Sequence, residues 1–192
     1  MDNHKELINR LHLDSRLKLE DIPDLDLYMD QVIQLFENKF SASKRREDEK
    51  VLTKTMINNY AKGKLFFPVE NKKYSKEHLI MISLIYQMKG ALSISDVQLT
   101  LERLNQKITG EEFDIKPVYE SVLKLSKANA ARMNNLMADH LQEVDTEVEQ
   151  LNDPEKDYLE KLLLIETFTE MSNLYRKSAE KLVDDLMDGK EE

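Results

Sequence analysis

The sequence predicts an all-α protein, and three observations lead to that prediction. The 192 residues include only four glycines and four prolines, the residues that most often interrupt helices. Hydrophobic residues make up 41% and charged residues 34% of the chain, which fits a helix-rich globular protein and not a disordered one. Apolar residues recur every three or four positions through most of the chain, which is the spacing of one helix face. We therefore expect long helices and few turns.

Two helices and a polar connection are predicted first. Residues 5–19 are expected to be helical up to the break "EDIPD". A second helix follows Pro23, with Asp24 available as its N-cap. Its apolar face falls at steps of three and four residues, namely Leu25, Met29, Val32, Phe36 and Phe40. Residues 41–50, "SASKRREDEK", have no apolar periodicity, which predicts an exposed connection or a solvated helix turn.

The stretch "LTKTMINNYAKGKLFFP", residues 52–68, predicts a short helix, a stop and an extended return. Thr53 can cap a helix that begins at Lys54, and Gly63 supplies its end. The inner side of this helix is formed by Met56, Ile57 and Tyr60. The return ends at Pro68 and is followed by a polar turn with two lysines, so this region has the outline of a wing.

Two further helices complete the predicted N-terminal domain. The first runs from about Lys76 to Lys89, and its near-continuous apolar run marks it as the central buried helix. Ser93 and Asp96 stand in capping-box positions for the second, which ends near Gly110. Its inward residues are predicted to be Val97, Leu101 and Leu104. We assign residues 1–110 to this helical domain.

Residues 111–192 predict a long antiparallel helical hairpin. Its first helix, from Pro117, has an apolar stripe at the α-helical period made of Val122, Leu125, Asn129, Met133, Leu136, His140, Val144, Val148 and Leu151. After "NDP", a second stripe contains Leu159, Leu162, Ile165, Thr169, Ser172, Tyr175, Ala179, Leu182 and Leu186. The hairpin would be roughly 45 Å long. Its uncovered apolar surface can pack on the N-terminal helices, can make the protein a homodimer, or can do both.

The motifs of several enzyme classes are missing. The four glycines are far apart and form no phosphate-binding loop, and the chain has no cysteine for a thiolate nucleophile or metal ligand. Metal-site spacing is absent among His4, His12, His78 and His140, which we expect at the surface or its boundary. We therefore predict no enzyme, no cofactor and no metal. The longest apolar run, residues 79–88, is too short to span a membrane, and we expect a cytoplasmic protein.

One basic segment stands out in an acidic chain. The formal net charge is −9, yet residues 50–76 hold seven lysines and one acid. Six of these lysines lie around the capped helix and the wing, namely Lys54, Lys62, Lys64, Lys72, Lys73 and Lys76. Such a cluster suits the neutralisation of phosphates, and Asn58 and Asn59 could pair with the major-groove edge of adenine. The alternative is an ordinary solvated lysine face.

The order of residues from Thr53 to Leu104 resembles the winged helix-turn-helix DNA-binding domain of MerR-type regulators. The matching positions are Thr53 as the cap, Ile57 as the buried isoleucine, Tyr60 as an aromatic, Leu65 and Phe66 as two leucines, and Lys72 with Tyr74 as the wing's Arg-x-Tyr. The sequence departs from this pattern at Asn58 and Asn59, and Lys64 stands where a glycine is expected. Twelve residues also separate Phe40 from Thr53, where a helix-turn-helix normally has three or four.

The stretches "DLDLYMDQV", "LTKTMINNYAKGKL" and "KKYSKEHLIMISLIYQMK" also resemble a bacterial family of unknown function from low-GC Gram-positive organisms, over roughly residues 20–125. That resemblance implies a regulator and no established activity.

These observations give two hypotheses. The first is a MerR-like transcriptional regulator that binds double-stranded DNA as a homodimer, with the helix from Thr53 in the major groove. Its predicted DNA-binding residues are Thr53, Lys54, Thr55, Asn58, Asn59, Tyr60, Lys62, Lys64, Lys72, Lys73 and Tyr74. The second hypothesis is a helical protein-interaction module without DNA binding, which the acidic hairpin favours.

Overall fold

The structure is a computed structural model, and it describes residues 11–12, 15–110 and 113–188. Within that part of the chain it is mainly α-helical, which confirms the predicted class. The described residues form six α-helices, namely α1 (Met29–Phe40), α2 (Lys54–Lys62), α3 (Lys76–Met88), α4 (Ile94–Gly110), α5 (Lys116–Leu151) and α6 (Lys156–Asp188). Two short strands, β1 (Leu27–Tyr28) and β2 (Lys73–Tyr74), pair antiparallel. Leu19–Asp21 and Ser41–Ser43 form 3-10 turns.

The described residues divide into two compact units. The core unit contains residues 15–110, 113–124 and 179–188, and the hairpin unit contains residues 11–12 and 125–178. Each unit has its own buried apolar cluster.

The predicted first helix is wrong over the part of it that the structure describes. Residues 15–18 have no helical structure, and the short 3-10 turn at Leu19–Asp21 follows them. The Asp21 carboxylate accepts a hydrogen bond from the Lys18 backbone N–H at 2.7 Å, which fixes the start of that turn. Residues 5–10 and 13–14 of the predicted helix lie outside the described residues.

Helix α1 begins later than its sequence predicts. Asp24 is not its N-cap, because its carboxylate pairs instead with the Lys76 ammonium at 2.9 Å. Residues 27–28 are taken up by β1, so the helix starts only at Met29 and Leu25 is left 62% exposed. The remaining face is as predicted, with Val32, Phe36 and Phe40 buried.

The connection from α1 to α2 contains no further α-helix. After the 3-10 turn, residues 45–50 are exposed, and the chain re-enters the core at Val51 and Leu52. The Glu37 carboxylate in α1 holds both ends of this exposed loop. One of its oxygens pairs with Lys44, and the other accepts the Val51 backbone N–H at 3.2 Å. The predicted exposed connection is confirmed, and the long separation of α1 from α2 is real.

Helix α3 is the centre of the core unit, as its apolar run predicts. Every residue from His78 to Ile85 is buried. Tyr86 of α3 packs against Phe36 and Phe40 of α1, and its ring centroid lies 6.3 and 4.7 Å from theirs. At another point the Tyr119 hydroxyl donates to the Leu17 carbonyl at 2.6 Å and lies 2.8 Å from the Ser83 hydroxyl. Elements distant in sequence are thus joined through α3.

The cap of α4 follows the predicted pattern. The Ser93 hydroxyl accepts the Asp96 backbone N–H at 3.2 Å, and the Asp96 carboxylate accepts the Ser93 backbone N–H at 3.1 Å. Val97 and Leu101 are buried below it. Aspartate therefore replaces the usual glutamate of a capping box without loss of the reciprocal bonds.

The hairpin unit has a narrow apolar seam between α5 and α6. Its buried residues are Leu141, Val144, Val148 and Leu164, with Leu159, Leu163 and Phe168 packed against them. The predicted stripe of α6 lies largely outside this seam, since Leu162, Ile165 and Tyr175 are 45%, 64% and 65% exposed. The reason is that α6 has a second set of apolar residues, which includes Leu164 and Phe168, and this set contacts α5 instead.

Candidate nucleic-acid interface

Helix α2 is held by a local cap and by two core contacts. The Thr53 side chain accepts the Met56 backbone N–H at 3.1 Å, which confirms Thr53 as the N-cap. On the opposite side Ile57 and Tyr60 are buried, with 0% and 4% of their surface exposed. This anchoring leaves the other side of a short helix fixed in position and open to solvent.

The open side of α2 collects most of the helix residues predicted to contact DNA. Its exposed positions include Lys54, Thr55, Asn58, Asn59 and Lys62. At 100° per residue these five positions cover about 140° of the helix surface. No acid occurs among the nine residues of the helix. This face of α2 is therefore polar, and its charged side chains are all positive.

One acid from α1 lies beside this face. The Lys54 ammonium pairs with the Asp30 carboxylate at 2.8 Å, and the two side chains are 65% and 72% exposed. An ion pair this exposed contributes little to stability, so Lys54 can exchange Asp30 for another anion at small cost.

The end of α2 differs from the glycine turn that its sequence predicts. Gly63 ends the helix with an ordinary φ of −74°. A Cβ atom at this position would lie 2.7 Å from the Leu65 Cδ1 atom, so a larger residue would displace the Leu65 side chain. The left-handed residue is Lys64, with φ of 54°. A lysine thus adopts the left-handed conformation that glycine commonly takes at helix ends.

The predicted wing, residues 70–74, is a very small hairpin. Asn71 and Lys72 have φ values of 50° and 61°, and the Lys73 N–H donates to the Glu70 carbonyl at 2.8 Å. Two consecutive left-handed residues give the turn that best matches the twist of paired strands. Lys72 is exposed in this turn, and β2 pairs with β1 in the register Leu27↔Tyr74 and Tyr28↔Lys73. The sequence does not predict β1, which is only two residues long.

The predicted site residues therefore divide by exposure. Lys54, Thr55, Asn58, Asn59, Lys62, Lys64 and Lys72 are exposed, Thr53 and Lys73 are half-buried, and Tyr60 and Tyr74 are buried. The Lys73 ammonium lies 5.5 Å from the centre of the Tyr28 ring, and Lys76 is engaged by Asp24. The two tyrosines lie in the core and support the helix and the wing from beneath.

His78 contradicts the prediction that the histidines lie at the surface or its boundary. It is 4% exposed, and its ring centre lies 3.9 Å from that of Phe67 and 5.9 Å from those of Phe66 and Tyr74. Its Nδ1 atom accepts the Ser75 backbone N–H at 3.1 Å. Burial lowers the pKa of His78 below its usual value. The neighbouring apolar run "EHLIMISLIY" was the sequence signal for this burial.

The other histidines are less informative. His140 is half-buried and pairs with Glu143 at 3.2 Å, His12 is exposed, and His4 lies outside the described residues. Within the part of the chain that the structure describes, no group of three or more histidines and acids could hold a metal ion. None of the described helices is long and apolar enough to cross a membrane.

A groove beside the wing was not predicted from the sequence. It lies between the segment that follows α2 and one side of α4, and has a volume of about 580 Å³. Its lining residues are Ala61, Lys64, Phe66, Phe67, Pro68, Val69, Gln98, Glu102, Asn105, Gln106 and Thr109. Two segments about 40 residues apart form it, so no local pattern could have revealed it.

Residues 17–122 match the family described as a domain of unknown function, DUF1836. The chain belongs to the DUF1836 family. The DUF1836 segment begins at Leu17 and ends three residues after Tyr119, whose hydroxyl donates a hydrogen bond to the Leu17 carbonyl. The predicted membership of a family of unknown function is thereby confirmed. Neither the curated proteins nor the solved structures include a match to the chain.

Proposed function

We propose that this DUF1836 protein is a DNA-binding transcriptional regulator of the MerR-like type. The observation that supports this most is the exposed face of α2, which has two lysines, two asparagines and a threonine, and no acid. The helix is fixed from below by Ile57 and Tyr60, so it can enter a groove without losing its own packing. A helix in the major groove is the commonest way in which proteins read base pairs.

The exposed residues of α2 have distinct roles in this proposal. Asn58 and Asn59 read base edges, because a carboxamide can bond both the N6 and N7 atoms of adenine. Lys54, Thr55 and Lys62 contact phosphates on either side of the groove. The start of α2 also offers backbone N–H groups to a phosphate, since the Thr53 side chain satisfies only that of Met56. Specificity thus rests on the two asparagines.

The wing contacts the DNA backbone in the same proposal. Lys72 lies at the tip of the turn, where its charge is exposed, and Lys73 is oriented by the Tyr28 ring. Lys64 is also exposed, just after α2. Tyr60 and Tyr74 take part by packing, because their rings are buried beneath the helix and the wing.

We also propose that the protein acts as a homodimer. Soluble oligomers are most often two-fold symmetric, and a two-fold dimer presents two recognition helices to half-sites about 34–36 Å apart. Exposed apolar side chains on the long helices support this, with Leu125, Ile165 and Tyr175 between 60% and 65% exposed.

The second candidate function is a protein-interaction module that does not bind DNA. The same exposed apolar side chains favour it, and so do the acids beside the proposed interface. Asp30 pairs with Lys54 and Asp24 pairs with Lys76, so part of the lysine charge is already compensated.

Selection of bound DNA from a random library at physiological salt separates these two functions. The DNA-binding proposal expects enrichment of one sequence, and the interaction module expects none. Lys72→Ala with Lys73→Ala should weaken binding to all sequences and reduce the salt slope by about 0.9 per lost phosphate contact. Lys177→Ala, an exposed lysine of α6, is the matched control and should have no effect.

The role of Asn58 needs its own measurement. Asn58→Ala should relax specificity at one base pair, at a cost of about 1–3 kcal/mol if the contact is bidentate. Affinities of the variant for the selected sequence and for its single-base changes test this. Equal losses across all these sequences would remove Asn58 from base reading.

A further inference from the structure

The groove beside the wing has the size of a small-molecule site. Its volume of about 580 Å³ lies within the range of about 300–1,000 Å³ typical of such sites. One wall is the segment from Ala61 to Val69 and the other is the side of α4 from Gln98 to Thr109. All of these residues belong to the core unit, so the groove is formed within one compact body.

The apolar part of the groove is continuous and preformed. Four consecutive lining residues, Phe66 to Val69, have the sequence "FFPV". Phe66 is buried and Phe67 lies against the ring of His78, with centroids 3.9 Å apart, so neither ring needs to move to form the floor. A surface of this kind favours a flat apolar or aromatic group.

Asn105 supplies an unused hydrogen-bond acceptor among the lining residues. Its Nδ2 atom donates to the Leu65 carbonyl at 3.0 Å, which fixes which end of the amide carries the oxygen. The Oδ1 atom is buried and has no partner within the described residues. A buried acceptor without a partner is unfavourable. Because the Oδ1 atom is enclosed in the unliganded groove, a bound N–H donor reaches it through a local movement of the side chains around it, and then satisfies it.

Lys64 places a positively charged side chain at the groove, and its backbone is in a strained left-handed conformation. It keeps a left-handed φ of 54° where glycine would avoid strain, and it is exposed while lining the groove. A non-glycine residue held in this conformation points to a use for its side chain. Glu102 lines the opposite wall, so side chains of both charge signs line the groove.

We propose that this groove binds a small, flat aromatic or heteroaromatic carboxylate that has an N–H donor. The ring lies on the Phe67 and Pro68 side chains, the N–H donates to Asn105 Oδ1, and the carboxylate pairs with the Lys64 ammonium. The proposal goes beyond DNA binding and does not depend on it, because the binding is measured on the full chain without DNA.

Three small aromatic probes distinguish the contact with Asn105 Oδ1 from the contact with the Lys64 ammonium. Indole-3-acetate has the ring, the N–H and the carboxylate, indole-3-acetamide lacks the negative charge, and 1-naphthaleneacetate lacks the N–H. Titration followed by amide NMR should give saturable shifts for indole-3-acetate in residues 61–69 and 98–109. Binding of each of the other two probes should be about tenfold weaker, the usual worth of one hydrogen bond to a charged or buried partner.

Two substitutions assign the contacts. Lys64→Met keeps most of the side-chain length and should weaken indole-3-acetate about tenfold while leaving indole-3-acetamide unchanged. Lys107→Met, an exposed lysine of α4 that does not line the groove, is the matched control and should change neither. Gln106→Trp should fill the groove and weaken all three probes, with an unchanged far-UV spectrum as the check on folding.

Three results would overturn the proposal. One is the absence of saturable shifts with indole-3-acetate up to about 10 mM, about ten times the 1 mM dissociation constant of a weak ligand. Another is a set of shifts confined to residues outside the two walls, such as the exposed leucines of α6. The third is an equal affinity of the Lys64→Met variant and the natural chain for indole-3-acetate.

Discussion

The core unit and the hairpin unit use the same apolar periodicity with different results. In the core unit, buried residues come from both strands, from α1 to α4 and from the start of α5, all around the central helix α3. In the hairpin unit only four residues are buried in the cluster between two helices. A helix surrounded by several elements can bury its whole circumference, whereas one of a pair can bury only a stripe. Apolar spacing therefore predicts that a helix packs, and the number of neighbours decides how much of it is covered.

The largest expected effect comes from truncating one phenylalanine in each unit. Phe36 is fully buried in the core unit, so Phe36→Ala should lower the free energy of unfolding by about 3–5 kcal/mol. Phe168 is half-buried in the hairpin unit, and Phe168→Ala should cost about 1–2 kcal/mol. Urea unfolding followed by circular dichroism measures both. Equal costs would mean that the hairpin seam is packed as tightly as the core.

The next effect concerns the hydroxyl that joins distant parts of the core unit. Tyr119→Phe removes the donor to the Leu17 carbonyl and the partner of the Ser83 hydroxyl, and should cost about 1–3 kcal/mol. Tyr175→Phe in the hairpin unit is the control, because that ring is 65% exposed and its change should be near zero. Thermal unfolding of the two variants checks this, and a neutral Tyr119→Phe would show that the link is not stabilising.

A pH effect of intermediate size is expected from His78. Its pKa is lowered in the folded state, so the unfolded state binds the proton more readily. Stability should then be fully present above the unfolded-state pKa of about 6.5 and fall as the pH decreases, by at most about 1.4 kcal/mol per pH unit. The pKa values of Asp21, Asp24 and Glu37 are lowered by their lysine partners, so those carboxyls act at more acidic pH.

The variant His78→Gln isolates this contribution. Glutamine can still accept the Ser75 backbone N–H at the start of α3, but it cannot titrate. The urea midpoint of unfolding should change less between pH 7 and pH 5 in the variant than in the natural chain. The same slope in both proteins would mean that His78 is not the group responsible.

The smallest expected change in the free energy of unfolding comes from two residues with left-handed backbone conformation, each of which follows a helix. Lys64 follows α2 in the core unit, and Asn152 follows α5 in the hairpin unit, with φ values of 54° and 49°. Lys64→Gly should raise the free energy of unfolding by about 0.5–1 kcal/mol, because glycine adopts this conformation without a Cβ penalty. Asn152→Gly should change it very little, since asparagine already tolerates that region. Comparison of the thermal stabilities of the two variants tests this. Destabilisation by Lys64→Gly would show that the lysine side chain itself supports the fold.

Much of the fold could be predicted because its signals are local. The Thr53 and Ser93 caps are visible as short patterns, and the apolar run of α3 identifies the central helix. The start of α1 could not be predicted, because Pro23 and Asp24 look like a helix start while the pairing of residues 27–28 with β2 is a tertiary event. Similarly, α6 has two apolar stripes, and the sequence does not say which one contacts α5.

The same distinction applies to the candidate sites. The exposed face of α2 follows from spacing alone, because Ile57 and Tyr60 mark its inner side. The burial of Tyr74 and His78 depends on packing between the wing and α3, and the groove depends on residues 61–69 meeting residues 98–109. Such features require the fold to be known first.

The double anchoring by Glu37 has a practical consequence for engineering the protein. Because one carboxylate holds Lys44 and Val51, the six exposed residues between 45 and 50 form a loop whose two ends are fixed independently of its length. Doubling the length of such a loop costs only about 0.6 kcal/mol in closure entropy. An affinity tag or a fluorescent domain inserted between Arg46 and Glu47 should leave α1 and α2 in place, which gives a labelling position that belongs neither to α2 nor to the lining of the groove.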